Sequence, residues 1–186
     1  MTDIRHVLFL LGSSRADGQG GSNSEALARV AAQGLPQAVR QTWIALRDMP
    51  AEPFVDVRHS VGTYPPATGN ARRLLDATLA ASDIVVAMPL HWYGPPARVQ
   101  AYLEQWSAWM RVPGLDFKAA MARKTLWLLL TQSGEPHKAQ PAQDAMRYTA
   151  EFLNMRFGGA VVSRALKPGD VMQDAAALQQ AAALLG

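Results

Sequence analysis

Three short stretches of this chain carry residues whose types and spacing could do chemistry. The first is GSSRADGQGGSNSEALA, starting at Gly12. Hydroxyls, glycines and one arginine stand directly in front of a helical pattern. Ser22, Asn23 or Ser24 suits the cap of that helix, and Glu25 falls in its first turn. A helix start approached by serine and glycine presents free backbone N–H groups and the positive end of a dipole, which is a setting for anions. Ser13, Ser14 and Arg15 add two hydroxyls and a charge suited to phosphate. A capped helix behind an idle glycine loop accounts for the same letters, so this stretch alone supports only an anion near a helix start.

The second stretch is PLHWYGPP, residues 89–96. Proline and glycine fix the backbone, while Trp92 and Tyr93 supply flat amphipathic surface suited to a planar ring. His91 could donate to a ring carbonyl. Burial in a core or an interface is the alternative fate of these aromatics. The third stretch is TQSGEPHK, residues 131–138, whose small turn-forming residues would let backbone N–H groups approach a ligand closely. A plain turn has the same composition.

Several chemistries are absent from the sequence. There is no cysteine, so disulfides, thiolate metal sites and cysteine nucleophiles are excluded. Neither G-x-x-x-x-G-K-[ST] nor G-x-G-x-x-G occurs; the glycines at 12, 18, 20 and 21 have the wrong spacing for a dinucleotide turn. His6, His59, His91 and His137 show no metal-ligand spacing with carboxylates, so no metal is expected. G-x-S-x-G is also missing. No side chain is nominated as a catalytic acid or base.

The elements that must position these stretches follow from periodicity. Ile4–Leu11 has the look of a strand buried on both faces, 84–90 and Thr125–Thr131 are further apolar runs that read as strands, Gln41–Leu46 is a short strand candidate and Gly159–Ala165 is another candidate. Between them, helical spacing marks Ser24–Leu35, Asn70–Ser82, the segment after Pro96, Pro141–Phe157 and Val171–Leu185. Residues 49–69 hold four prolines and no periodicity, and are expected to form a surface insertion. The pattern is a βα unit repeated five times, which predicts an α/β fold with a parallel sheet covered on both faces. In such sheets ligands bind beyond the carboxyl ends of the strands, where all three stretches fall.

Length and composition set outer bounds. The 186 residues, 49% hydrophobic and 18% charged, fit a single domain over 1–186 with a sizeable core. A net charge of +3 with scattered arginines gives no nucleic-acid patch. No apolar run is long enough to span a bilayer, so no membrane association is expected, and the lack of cysteine fits a cytoplasmic protein. Trp106, Trp109 and Met110 form an apolar cluster that serves either the core or an interface, and a homodimer or tetramer is expected.

The combination GSSR…SNSEALA, MPLHWYGPPARVQAYLEQW and TQSGEP resembles the flavodoxin-like NAD(P)H-dependent FMN reductases, a family that also holds NAD(P)H quinone oxidoreductases and azo reductases. The similarity spans Ile4 to about Ala165. It implies a three-layer flavodoxin-like fold with a five-stranded parallel sheet in the order 2-1-3-4-5 and FMN at the ends of the first and third strands. By the same resemblance, Ser13, Ser14, Arg15, Ser22, Asn23 and Ser24 would hold the FMN phosphate. Pro89, Leu90, His91, Trp92, Tyr93 and Gly94 would line the isoalloxazine, and Gln132, Ser133, Gly134 and Glu135 would complete the ring site. The implied activity is ping-pong hydride transfer from NADPH or NADH through FMN to a small acceptor (a quinone, a flavin or an azo compound). A flavodoxin-type electron carrier and a flavin-free relative with an assembly role are the alternatives; such carriers are generally acidic, whereas this chain is basic. The first loop is several residues longer between Arg15 and Ser22 than in many relatives. Whether its ADGQGG segment wraps the phosphate or bulges away is open at this point.

Overall fold

In the computed structural model, residues 4–15, 21–50 and 52–186 are described. Five strands, β1 (His6–Leu11), β2 (Arg40–Ala45), β3 (Asp83–Pro89), β4 (Thr125–Gln132) and β5 (Arg156–Arg164), form one sheet. The order is β2-β1-β3-β4-β5, and every pairing is parallel. Helices α1 (Asn23–Gln33), α2 (Gly69–Ala80), α3 (Ala97–Trp109), α4 (Phe117–Met121), α5 (Gln140–Phe152) and α6 (Ala175–Leu184) cover it. This is the expected flavodoxin-like arrangement, with helices on both faces of the sheet.

The apolar runs are continuous because alternate residues feed opposite layers. Leu8, Leu10, Ile84, Val86, Leu128 and Leu130 face α2, α3 and α5. Val7, Phe9, Val85, Ala87, Trp127 and Leu129 face α1 and α6. On the second face Phe9 stacks on Trp43, directly across the ladder, with ring centroids 4.0 Å apart, and the Arg29 guanidinium lies over that indole.

The tryptophans of α3 belong to the core. Trp106 and Trp109 are 3% and 1% exposed and meet Tyr102 and Phe117 edge to face. Of the two roles open from sequence, the core one holds for both rings. Met110 is only half-buried and lines a groove between α3 and α5 with Leu103, Tyr148 and Phe152.

Three boundaries differ from the sequence pattern by three residues or more. The α5 helix stops at Phe152, not Phe157: Leu153 caps it and Asn154 follows with φ 56°, a left-handed conformation that asparagine tolerates well. Strand β5 therefore begins at Arg156 rather than Gly159. Its register slips by one residue opposite Leu126 and Trp127. Gly158 sits at that bulge because a Cβ there would lie 2.4 Å from the Trp127 ring. The terminal helix starts at Ala175, where the Asp174 carboxylate accepts from the Ala177 N–H at 3.1 Å; residues 170–173 form a separate 3-10 turn. The helix α4 had no counterpart in the expected elements.

Residues 49–69 contain no helix or strand among the described positions until α2 begins at Gly69. They fold back on the end of α3. Tyr64 stacks on Phe54, its hydroxyl donates to the Val55 carbonyl at 3.0 Å, and the Gln105 amide donates to the Glu52 carbonyl at 2.9 Å.

Polar groups buried at the amino ends of the strands form a closed network. Asp83 takes two bonds of 3.1 Å from the Arg5 guanidinium, one of 2.9 Å from Trp127 Nε1 and one of 2.8 Å from the Ser82 hydroxyl. Burial alone would raise the Asp83 pKa, but these bonds outweigh it and hold the carboxyl below the usual range. The Lys124 ammonium closes the last turn of α2 by donating to the carbonyls of Leu79 and Ala81. His6 Nδ1 must donate to the Ala80 carbonyl, 3.1 Å away, so Nε2 accepts from the Thr42 hydroxyl at 2.9 Å. All of this lies at the sheet edge opposite the three stretches singled out above.

Candidate functional site

The carboxyl ends of β1, β3, β4 and β5 open into one cleft. Its first part is a cavity of about 190 Å³ lined by Ser13, Ser14, Arg15, Ser22 and Asn23 on one side. Pro89, Leu90, His91, Thr131, Gln132 and Ser133 line it on the other, with Ala165 and Leu166 at the end of β5. A second cavity of about 330 Å³ is lined by Leu90, Trp92, Tyr93, Gln132, Ser133, Gly134 and Lys138. Leu90, Gln132 and Ser133 belong to both, so the two are halves of one groove, within the usual size of a small-molecule site. None of these lining residues is a carboxylate.

The loop after β1 can bend tightly into this cleft because of Gly12. Its N–H donates to the Ala87 carbonyl at 2.8 Å, extending the β1–β3 pairing one residue past the strand. A Cβ at Gly12 would fall 2.4 Å from a Val99 methyl and 3.0 Å from Met88 Cβ. Glycine therefore lets the start of α3 close against the loop. Ser13 is buried, and its hydroxyl accepts from the Arg15 N–H at 3.2 Å, which turns the chain. Residues 16–20 of the ADGQGG segment lie outside the described residues.

At the start of α1, Ser22 is the cap. Its hydroxyl accepts from the Glu25 N–H at 3.4 Å and pairs with the Ser24 hydroxyl at 3.0 Å. The N–H groups of Asn23 and Ser24 have no acceptor among the described residues, as expected for a first helical turn. Ser24 is buried at 1% exposure and supports Ser22 rather than lining the cavity. The Asn23 side chain is committed elsewhere: its amide donates to the Lys167 carbonyl at 2.8 Å and its carbonyl accepts from the Gly169 N–H at 2.9 Å. It ties α1 to the loop after β5, so toward the cavity Asn23 offers its backbone N–H.

PLHWYGPP forms a two-residue hairpin. His91 and Gly94 exchange both backbone bonds, at 3.1 and 3.0 Å. Trp92 and Tyr93 between them have φ of 48° and 66°, the shape normally taken by Asn-Gly. Each side chain held there costs about 1–2 kcal/mol. The cost brings no burial to Trp92, which is 96% exposed, and little to Tyr93, at 54%. Both rings line the groove, and at Trp92 packing does not offset the strain. Gly94 closes the hairpin without lining the groove.

On the facing side, β4 delivers Thr131 and Gln132, both buried. The Gln132 carboxamide oxygen accepts from the Gly134 N–H at 3.0 Å. Glu135 is exposed, and its carbonyl accepts from Lys138 N–H at 3.0 Å in the following 3-10 turn; it does not reach the groove.

Thirteen of the sixteen residues expected at the site thus line the groove; Ser24, Gly94 and Glu135 stand behind it. Four lining residues were not anticipated: Thr131, Lys138, Ala165 and Leu166. Thr131 and Lys138 sit inside the quoted third stretch. Ala165 and Leu166 follow β5, which the strand order places beside β4, and a loop after a central or neighbouring strand end was the available signal. Among the described residues, no group of three His, Asp or Glu side chains could hold a metal ion, and no helix is long and apolar enough to cross a membrane.

Comparison with known proteins agrees with this architecture. A protein of Bacillus subtilis (strain 168) named as an NAD(P)H-dependent FMN-containing oxidoreductase, YwqN, is 28% identical over 167 residues, covering 89% of this chain and 90% of that protein. The structure of the Trp repressor binding protein from Bacillus subtilis superposes with a TM-score of 0.75 at 24% identity over 97% of both chains. An FMN-dependent NADH-azoreductase from Bacillus anthracis str. Ames Ancestor, solved in complex with FMN, gives a TM-score of 0.66 at 13% identity over 98% of this chain and 100% of that one. These two likenesses speak for the fold. The family model described as flavodoxin-like fold matches residues 5–185, nearly the whole described chain, and this protein belongs to that family.

Proposed function

We propose that the protein is an FMN-dependent oxidoreductase that uses NADPH or NADH to reduce a small acceptor, a quinone, a flavin or an azo compound. The observation that carries this reading is one groove with two chemically different halves. A hydroxyl-rich half at a helix start is joined through Leu90, Gln132 and Ser133 to a half walled by two strained, exposed aromatic rings. That is the shape of a phosphate joined to a flat ring, and the name of the YwqN relative supports it.

The residues present fit FMN. The Ser13, Ser14 and Ser22 hydroxyls, the Arg15 guanidinium and the first backbone N–H groups of α1 would hold the phosphate; charge-assisted bonds of this kind are the strong ones. Among the described residues, no lining carboxylate opposes the anion. Leu90, Trp92, Tyr93 and Gln132–Gly134 would flank the ring. Bound there, FMN would supply two-electron hydride chemistry between a nicotinamide and a second substrate. The protein's part is to bind, orient and polarise. Backbone and carboxamide donors at the end of β4 are fixed before any ligand arrives and so need no reorganisation when charge develops. Trp92 and Tyr93 wall one side of the ring half.

We place all of this on a single domain, in a cytoplasmic homodimer or larger assembly. The groove between α3 and α5, with Tyr148 and Phe152 58% and 62% exposed, offers an apolar contact face. A monomeric mass by light scattering at micromolar concentration would remove the dimer.

The test of function is direct. Purified protein should take up FMN, turn yellow, bleach with NADPH or NADH, and regain colour with an acceptor from a panel of quinones, free flavin, azo dyes and ferricyanide. Yellow protein that neither nucleotide reduces would favour an electron carrier. Colourless protein that takes up no FMN would sink the reading.

A further inference from the structure

We infer that Gln132 is a donor locked in one orientation, whose carboxamide N–H groups bind the edge of the ring that gains negative charge on reduction. The inference rests on the flavin reading above. Gln132 ends β4 and is pinned by both neighbouring strands. The preceding carbonyl, of Thr131, accepts from the Leu90 N–H at 2.8 Å, and Gln132's own carbonyl accepts from the Ala165 N–H at 2.8 Å. The residue is 6% exposed, yet it lines both halves of the groove.

The orientation of its side chain follows from chemistry. The Gly134 N–H lies 3.0 Å from the carboxamide. A backbone N–H can only donate, so the atom it meets is Oε1, and Nε2 points the other way. Nε2 has no partner among the described residues. Reversal of the amide would set its two donors against the Gly134 donor, so the carboxamide atoms left without a partner among the described residues are N–H donors.

Gly134 is the positioning residue. A Cβ there would lie 3.2 Å from Gln132 Oε1 and 3.4 Å from Lys138 Cδ. An alanine would press on the atom that sets the carboxamide's direction.

An edge of nitrogen and carbonyl acceptors runs along the isoalloxazine, and two-electron reduction places negative charge on it. A fixed donor bonds a charged acceptor more strongly than a neutral one. Gln132 therefore favours the reduced form of the bound ring over the oxidised form.

The experiment compares the wild type with Gln132→Glu, Gln132→Met, Gly134→Ala and the Gln132→Met/Gly134→Ala double variant. Circular dichroism and melting confirm folding. FMN titration gives the affinity of the oxidised form, and a reductive titration against a reference dye gives the midpoint potential. Gln132→Glu keeps the size and the bond from Gly134 but replaces donors by a charge. It should weaken FMN binding at least tenfold and weaken the reduced form by a further tenfold, a midpoint lower by about 30 mV for two electrons. Gln132→Met should shift the potential the same way by less. Gly134→Ala should lower it when Gln132 is present and leave it unchanged in the Gln132→Met background, the signature of action through Gln132. A midpoint unchanged from wild type in Gln132→Met, or in a folded Gln132→Glu, overturns the inference while leaving the flavin reading intact. A wild-type protein that takes up no FMN overturns both.

Discussion

The two strained residues of the His91–Gly94 hairpin allow stability and binding to be pulled in opposite directions. Trp92 has φ 48° and is 96% exposed, so replacing it removes almost no packing. The left-handed region costs a residue with a bulky side chain about 1–2 kcal/mol, and asparagine, favoured at this position of such turns, recovers roughly 1 kcal/mol of that. For a chain of this length, roughly 1 kcal/mol corresponds to about 2–4 °C in Tm. Trp92→Asn should therefore raise the melting temperature of FMN-free protein by about 2–4 °C. The same change removes an indole from the wall of the ring half. An aromatic contact is worth about 0.5–1.5 kcal/mol beyond its area, so FMN affinity should fall about two- to tenfold. Calorimetry on the FMN-free protein and fluorescence titration with FMN read the two effects separately. A melting temperature that stays or falls would refute the strain reasoning. An unchanged FMN affinity would refute the role given to the indole. Tyr93 is a poorer probe, because it is nearly half covered and its removal mixes lost packing with relieved strain.

Other perturbations test the rest of the site and its frame. Ser22→Glu sets like charge against the phosphate and should abolish FMN binding; a wild-type affinity by titration would refute the placement. Gly12→Ala drives a methyl into Val99 and Met88 and should cost about 1–3 kcal/mol by overpacking, with weaker FMN binding because the first loop is pushed off α3. Denaturant curves that match wild type would contradict the close approach. For His6, burial is the main cause holding its pKa below 6.5, opposed by its bond to the Ala80 carbonyl and helped by the charges of Arg40 and Lys124. The fold thus keeps this ring neutral, and its contribution to stability is full above pH 6.5 and declines as the pH falls toward the lowered value. Urea midpoints at pH 7.5 and 5.5 should separate more for wild type than for His6→Asn; equal separations would exclude His6 as a source of the pH dependence.

The sheet was legible because strands buried on both faces are written as unbroken apolar runs, and the helices because their buried stripes repeat at three and four residues. The site was legible as composition at three strand ends. What periodicity could not show was how individual polar and aromatic groups are spent. Asn23, a natural ligand for phosphate by its type, uses both ends of its side chain on residues 167–169, a contact that no local pattern announces. Trp106 and Trp109 carried no mark separating core from interface until Phe117 and Tyr102 were seen around them. The strand start at Arg156 was hidden because Gly158 and Gly159 resemble a turn, when one of them makes room for an indole. The Trp92–Tyr93 turn was hidden for the opposite reason: its backbone is one that glycine and asparagine usually occupy.

The clasp made by Asn23 also has a place in time. Its partner Lys167 lies 144 residues further along the chain. At synthesis rates of about 5–20 residues per second, β1 and α1 leave the ribosome roughly 7–30 s before the loop that secures them. The serine-rich cradle is made well before its far wall, at Ala165 and Leu166. A flavin that needs both walls would be taken up only after Leu166 has emerged, and a nascent chain stalled before Lys167 would carry the whole of GSSRADGQGGSNSEALA and still lack its anchor.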